Sequence, residues 1–264
     1  MKRFGIPLTL ALGLAGCTSQ PDSAAGTTKT SVATAQAGEL AVTLLTDTRL
    51  ETGMTPVYVK VETAAGQPVT NATVAFTPMM AMSTGMSHTA PVIGPPALDD
   101  QGLYRCDVVF QMATGAMGSW SASVSVARPG AATATAEFPS LTVADSGRAK
   151  PFTYTDPVTS STTKYVASLN FDAAPKVGLN RVKVTLHRMQ DAMTFVAVND
   201  ATIVLDPEMP SMGHGSPGSV NPTLASPGLY DGQLSFSMPG DWETTVTLSS
   251  GGVTLGAPKF TTSF

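Results

Sequence analysis

The sequence contains little charge and only two cysteines, and each shortage excludes a class of protein. Charged residues make up 13% of the chain, with 15 Lys and Arg against 19 Asp and Glu and a formal charge of −4. Because the basic residues form no cluster, we do not expect a nucleic-acid partner. Two cysteines cannot provide the disulfide framework of a small secreted protein, so stability has to come from apolar burial.

The residue patterns of catalysis are also lacking. The sequence has no evident pairing of a nucleophile with a base, no Gly-rich phosphate loop and no His/Cys spacing typical of zinc. We therefore predict that the protein is not an enzyme.

The first residues have the pattern of an exported protein. Two basic residues precede an apolar run over 4–15, which is too short to span a bilayer as a helix. The run ends in Leu14-Ala15-Gly16-Cys17, which resembles the lipobox of bacterial lipoproteins. The resemblance implies a signal peptide over 1–16, with Cys17 as the diacylated first residue of the mature protein. An ordinary secretory signal with a chance cysteine is the alternative. Thr18, in place of Asp, implies the periplasmic face of the outer membrane by the same resemblance.

Most of the remaining chain reads as short β-strands. The Ser/Thr/Ala-rich stretch up to residue 38 has no hydrophobic period, so we expect 17–38 to be the lipidated cysteine and a flexible tether. From residue 39 on, stretches such as LAVTLLT and ATVAFTP alternate apolar and polar residues between Gly, Pro and Asn turns. This pattern predicts an all-β protein of immunoglobulin-like β-sandwiches. Cys106 lies on the apolar face of one predicted strand, as a small buried hydrophobe.

The second half of the sequence repeats the first. ATVAFTP corresponds to ATIVLDP, and each is followed by a methionine-rich loop that ends in Met-x-His, at His88 and at His214. Each histidine lies 14 positions before a Gly-Leu-Tyr, and a Phe, a Met and a Trp follow in the same order. We therefore predict two domains, 39–140 and 148–264, joined near ADSGRAK.

The two Met-x-His loops are the candidate sites. Six of the 13 methionines and two of the three histidines fall in these loops, although Pro and Gly break both a helical and a strand period there. Thioether sulfur is soft and imidazole is borderline, so the pair suits Cu(I) or Ag(I) better than Mg²⁺ or Ca²⁺. We expect a regular site at Met209, Met212 and His214, and a less regular one at Met80, Met82, Met86 and His88. The alternative is that the methionines are adaptable apolar caps.

The repeated aromatic residues have a structural explanation and a functional one. The Tyr and Phe of each copy share a strand face and are expected in the core, as are Trp120 and Trp242. Each tryptophan could also shield a soft cation through its ring face. In that case Met112 and Met238, which precede the tryptophans, would form an outer shell with them. His187 has no counterpart in the first copy and is predicted to be structural.

These motifs together resemble the YtkA-like/FixH-like domain, a small exported all-β module. The second copy carries the family features as VGLNRVKV, PEMPSMGH and GLYDGQLSFSMPGDW, and the first carries GQPVTNATV, Met-x-His and Gly-Leu-Tyr with a longer Met–Trp link. The resemblance implies copper handling or delivery in the cell envelope, linked to cytochrome oxidase assembly, with copper-donating or copper-accepting envelope proteins as partners. FixH proper is held by a transmembrane helix, whereas this chain resembles a lipoprotein with two copies. A non-enzymatic surface or interaction module is the alternative.

Overall fold

The structure is a computed structural model, and it describes Met1 and residues 28–264. The predicted signal peptide and the lipidation site Cys17 lie outside the described residues. Among those residues every regular element is a β-strand. No helix that could cross a lipid bilayer occurs in this part of the chain.

The first domain contains nine strands arranged as two facing sheets. The strands are β1 (Thr30–Ala37), β2 (Leu40–Thr46), β3 (Gly53–Thr63), β4 (Thr73–Met82), β5 (Ser87–Thr89), β6 (Val92–Leu98), β7 (Tyr104–Phe110), β8 (Gly118–Ala127) and β9 (Ala134–Leu141). One sheet has the order β1-β2-β3-β7-β6 and the other β5-β4-β8-β9. All pairs within these sheets are antiparallel.

The second domain repeats this arrangement with one added hairpin. Its strands are β10 (Ala149–Thr155), β11 (Thr162–Phe171), β12 (Gly178–Asp191), β13 (Thr194–Ala197), β14 (Ala201–Met209), β15 (His214–Gly215), β16 (Val220–Ser226), β17 (Leu229–Phe236), β18 (Asp241–Ser250), β19 (Val253–Gly256) and β20 (Lys259–Ser263). The sheet orders are β10-β11-β12-β17-β16 and β15-β14-β18-β19, with β20 also on β18. The additional strand β13 pairs with the extended end of β12.

Alternation in the sequence accounts for the burial of these strands. In β2 the side chains alternate between buried and half-buried, and in β14 buried residues alternate with exposed ones. Successive side chains of a strand point to opposite faces, so one face of each sheet fills the core. Two separate apolar clusters result, one for each domain, and the predicted pair of β-sandwiches is confirmed.

The repeated aromatic residues and Cys106 belong to these cores, as the sequence predicts. Trp120, Trp242, Phe110 and Phe236 are fully buried. Cys106 is buried as well, and burial raises the pKa of its thiol to about 12. The thiol therefore stays protonated at neutral pH and is not available as a thiolate ligand.

The predicted tether extends too far along the sequence. Residues 30–37 form β1, an edge strand that pairs with β2, and the first domain begins there. Ala33 and Ala35 pack against the core and Ala37 is fully buried. The hydrophobic signal of this strand is weak because its inward residues are mostly alanines, which are buried through contact with the rest of the domain.

The two domains contact each other on both sides of the short connection between them. The backbone amide of Met54 donates to Oδ1 of Asn170 at 3.0 Å, and Arg148 forms an ion pair with Glu51. The amide of Thr89 also donates to the carbonyl of Ala192 in the β12–β13 turn, at 2.9 Å. This last bond places β5, and with it His88, against the second domain.

Candidate functional site

In each domain, a histidine, a methionine and a tryptophan occupy neighbouring strands at one end of the sandwich. In the first domain Met80 on β4 is paired with His88 on β5 and, on its other side, with Trp120 on β8. Directly paired residues of antiparallel strands project their side chains from the same face of the sheet. The three side chains therefore form a row across three strands, and Met80 and Trp120 are fully buried.

The second domain has the same row. Met209 on β14 is paired with His214 on β15, and Trp242 on β18 lies one position beyond the Glu208–Glu243 pair. The imidazole of His214 meets the indole of Trp242 edge to face, with ring centroids 5.8 Å apart at 74°. The equivalent His88–Trp120 contact measures 6.0 Å at 87°. In each copy, one predicted methionine, the histidine and the tryptophan are thus neighbours.

Hydrogen bonds hold each histidine in one tautomer. Nδ1 of His88 lies 2.8 Å from the carbonyl oxygen of Thr89, and Nδ1 of His214 lies 3.0 Å from that of Gly215. A carbonyl oxygen can only accept, so Nδ1 must carry the proton in both rings. In the neutral imidazole Nε2 then has the free lone pair, which is the arrangement that metal-binding histidines use.

The tryptophans are fixed through their indole nitrogens. Nε1 of Trp120 donates to the carbonyl of Met112 at 2.9 Å, and Nε1 of Trp242 donates to the carbonyl of Met238 at 3.1 Å. These bonds satisfy the buried indole donors and set the ring planes beside the histidines. Met112 and Met238 also pack against the two apolar clusters that contain these tryptophans.

The methionines of the two loops range from buried to exposed, and Met79 and Met82 are half-buried. Met80 and Met209 are buried, whereas Met86 and Met212, at the tips of the two turns, are 58% and 59% exposed. In the second domain the turn is closed by the amides of Met212 and Gly213, which donate to the carbonyl of Met209. The thioethers of Met86 and Met212 are therefore open to solvent, whereas those of Met80 and Met209 are enclosed in the cores.

One family model matches both repeats of the chain. A family model described as YtkA-like matches residues 34–125 and 159–247, one segment in each sandwich. The chain belongs to the YtkA-like family. Both matched segments contain the Met-x-His loop and the tryptophan of their domain, so the row of histidine, methionine and tryptophan lies inside each YtkA-like unit.

Other known proteins add little to the YtkA-like assignment. No curated protein sequence matches the chain. Among solved structures, an Escherichia coli adhesin, FdeC, matches with 16% identity and a TM-score of 0.24. The match covers 88% of this chain and 65% of the adhesin chain, which is less than two thirds of its length.

Two features of the YtkA-like sites were missed from the sequence. Gly240 sits directly over the buried methionine, since a Cβ there would lie 2.9 Å from Cε of Met209. Met189, on the second domain's β12, lines a cavity together with Met82, His88 and Met112 of the first domain. The glycine could have been suspected from its fixed place two residues before the tryptophan, a place that Gly118 shares. Met189 carries no such signal because it has no counterpart in the first copy.

Proposed function

We propose that the protein binds Cu(I), or Ag(I), and handles or delivers copper in the cell envelope. Binding takes place at the two Met/His ends, the ends of the sandwiches that carry the Met-x-His loops at His88 and His214. The supporting observation is the free Nε2 of His88 and of His214, each beside a methionine and a tryptophan, because Nδ1 is engaged by a backbone carbonyl. In the second domain the donors are Met209, Met212 and His214.

The donor chemistry fits a soft monovalent ion as cargo. Thioether sulfur and neutral imidazole carry no charge, so they favour a soft cation of low charge over a hard divalent one. Among the described residues no cluster of three or more His, Cys, Asp or Glu side chains has the geometry of a metal site. The exposed thioethers of Met86 and Met212 would make the first contact with an ion arriving from solvent.

The proposal places the protein at a membrane surface. With Cys17 lipidated, residues 18–29 would connect the first sandwich to the periplasmic face of the outer membrane. The partners would be copper-donating or copper-accepting envelope proteins, including those of cytochrome oxidase assembly, and the protein would itself catalyse no reaction.

Competition for Cu(I) tests this function. A soluble chain that starts at residue 18, just after the expected lipidation site, is titrated against a chromogenic Cu(I) chelator under reducing conditions, and two ions are expected to bind. Replacing His214 and Met212 by Ala should reduce the number to one, because the second site loses its imidazole and its exposed thioether. His187→Leu also removes one imidazole, from a buried position on β12, and should leave both sites intact.

Two results would overturn the assignment. If the wild-type chain takes up no Cu(I) or Ag(I), the methionine loops are structural caps of an interaction module. If the His214→Ala, Met212→Ala variant still binds two ions, the donors of the second site lie elsewhere.

A further inference from the structure

The Met/His end of the first domain lies against the second domain. It borders a cavity of about 230 Å³ between the domains, lined by Met82, His88 and Met112 from the first domain and by Met189 and Phe195 from the second. A neighbouring cavity of about 350 Å³ shares Met82, His88 and Met189 and adds Met86. His88 and Met189 therefore face the same two spaces from opposite domains.

The contact beside these cavities fixes the two domains close to the site. The amide of Thr89, the residue after His88, donates to the carbonyl of Ala192, three residues after Met189. The His88 imidazole is 9% exposed, and its Nε2 makes no hydrogen bond within the part of the chain that the structure describes. Nε2 of His88 is therefore free to accept a ligand from the cavity side.

The second domain supplies an apolar wall as well as a sulfur. Phe152 and Tyr165 are stacked, with ring centroids 5.4 Å apart at 14°, and both line the first cavity with Phe195. Such a wall keeps water away from bound Cu(I) and so strengthens its contacts with neutral ligands. Methionine has three rotatable side-chain bonds, so the thioethers can converge on an ion from different strands.

We infer that Met189 completes the first site, so that a soft monovalent cation bound there joins the two domains. This inference rests on the proposed function and specifies one of its two sites. The donors are Nε2 of His88 and the thioethers of Met82, Met112 and Met189, with Met86 at the outer cavity. The cavities have room for one ion, given that a water molecule takes about 30 Å³, and an ion held by donors from both domains links them.

The positive charge of Lys164 opposes the binding of a cation beside His88. Lys164 lines both cavities, while Asp191 lines the outer one. A lysine side chain can keep its stem on the apolar wall and turn its charge toward solvent. A Lys164→Gln variant should bind the ion a few-fold more tightly, since one repulsive charge is removed.

The test compares Met189→Leu with Met193→Leu in the mature chain. Leucine keeps the apolar volume but has no sulfur, and Met193 lies in the same hairpin at 56% exposure. Met189→Leu should weaken one of the two Cu(I) sites by about tenfold or more and leave the other unchanged. Met193→Leu should change neither. Hydrogen exchange of the Thr89 amide should slow on loading in the wild type and less so in Met189→Leu.

Nuclear magnetic resonance of the unmodified sequence gives a second readout that does not depend on a variant folding. On addition of Ag(I), the ring signals of His88 and the methyl signal of Met189 should shift together, while His187 stays constant. If His88 shifts and Met189 does not, the first site is confined to the first domain and this inference is wrong, although the proposed function stands. If neither His88 nor His214 responds, both are wrong.

Discussion

His187 provides a stability prediction that the structure allows us to work out. The residue lies on β12 with 4% of its surface exposed, and its Nδ1 has no hydrogen-bond partner among the described residues. Its Nε2 would be 2.7 Å from a Cβ at Gly228, so the ring is tightly enclosed. Burial disfavours the charged imidazolium and lowers the pKa of His187 from 6.5 to about 4.

The direction of the effect on stability follows from proton binding. Between about pH 6.5 and pH 4 the unfolded chain protonates this histidine, while the folded chain keeps it neutral. The free energy of unfolding therefore decreases as the pH falls through this window, and the contribution is fully present above pH 6.5. The full pKa shift of His187 corresponds to about 3 kcal/mol of unfolding free energy, of which about 2 kcal/mol is lost by about pH 5.

The assay is urea unfolding of the wild type and of His187→Leu at about pH 7.5 and about pH 5. The carboxylates titrate in both proteins, so their contribution cancels in the comparison, and the wild type should lose about 2 kcal/mol more than the variant. Leucine leaves no polar atom unpaired in this site, so the variant is expected to fold. An equal loss of stability in both proteins would refute the reasoning, as would a native-state titration of the His187 ring near pH 6.5.

Two further predictions concern the buried tyrosines and the domain contact. In Tyr230→Phe, the carbonyl of Val198 and the amide of Ala201 lose a partner at 2.7 and 3.1 Å, and urea unfolding should show a loss of about 1–3 kcal/mol. The equivalent Tyr104→Phe should cost a similar amount, and no loss in either would contradict the role of these bonds. In Gly53→Ala, at a φ of +94°, the new Cβ would lie 2.8 Å from Cβ of Arg148, so proteolysis at the connection should accelerate. Gly178→Ala is the matched control, because that glycine has a φ of +91° and no neighbour within 4 Å, and faster cleavage in both would argue against a domain-contact effect.

The sequence was sufficient to predict the sandwiches and to single out the histidine and methionines of each loop, because both depend on local spacing. Alternation of apolar and polar residues marks the strands. The equal spacing of motifs in the two copies aligns His88 with His214. The strand at residues 30–37 was missed because alanine has too little apolar surface to mark a strand by itself. Its burial comes from β2 and the core, which are contacts that a local pattern does not contain.

Unequal surroundings of the two sites could not be predicted from the repeat. In the sequence repeat the two predicted sites are equivalent, and the second has the more regular loop. Met189 approaches His88 only because the domains pack against each other, and the residues on either side of that contact are about 100 positions apart in the chain. The tautomer of each histidine likewise depends on a backbone carbonyl whose orientation no sequence motif records.

The two copies support the row of histidine, methionine and tryptophan by different means. In the first, the four additional residues before Trp120 fold over the loop, and the amide of Ser83 donates to the carbonyl of Met117. In the second, Phe264 exchanges backbone hydrogen bonds with Gly240, and its ring packs on that of Phe236 with centroids 5.2 Å apart. A cap that served packing alone would need its buried methionine but not an exposed one. Both copies nevertheless keep an exposed thioether two residues before a histidine with a free Nε2, and the proposed Cu(I) sites use this pairing.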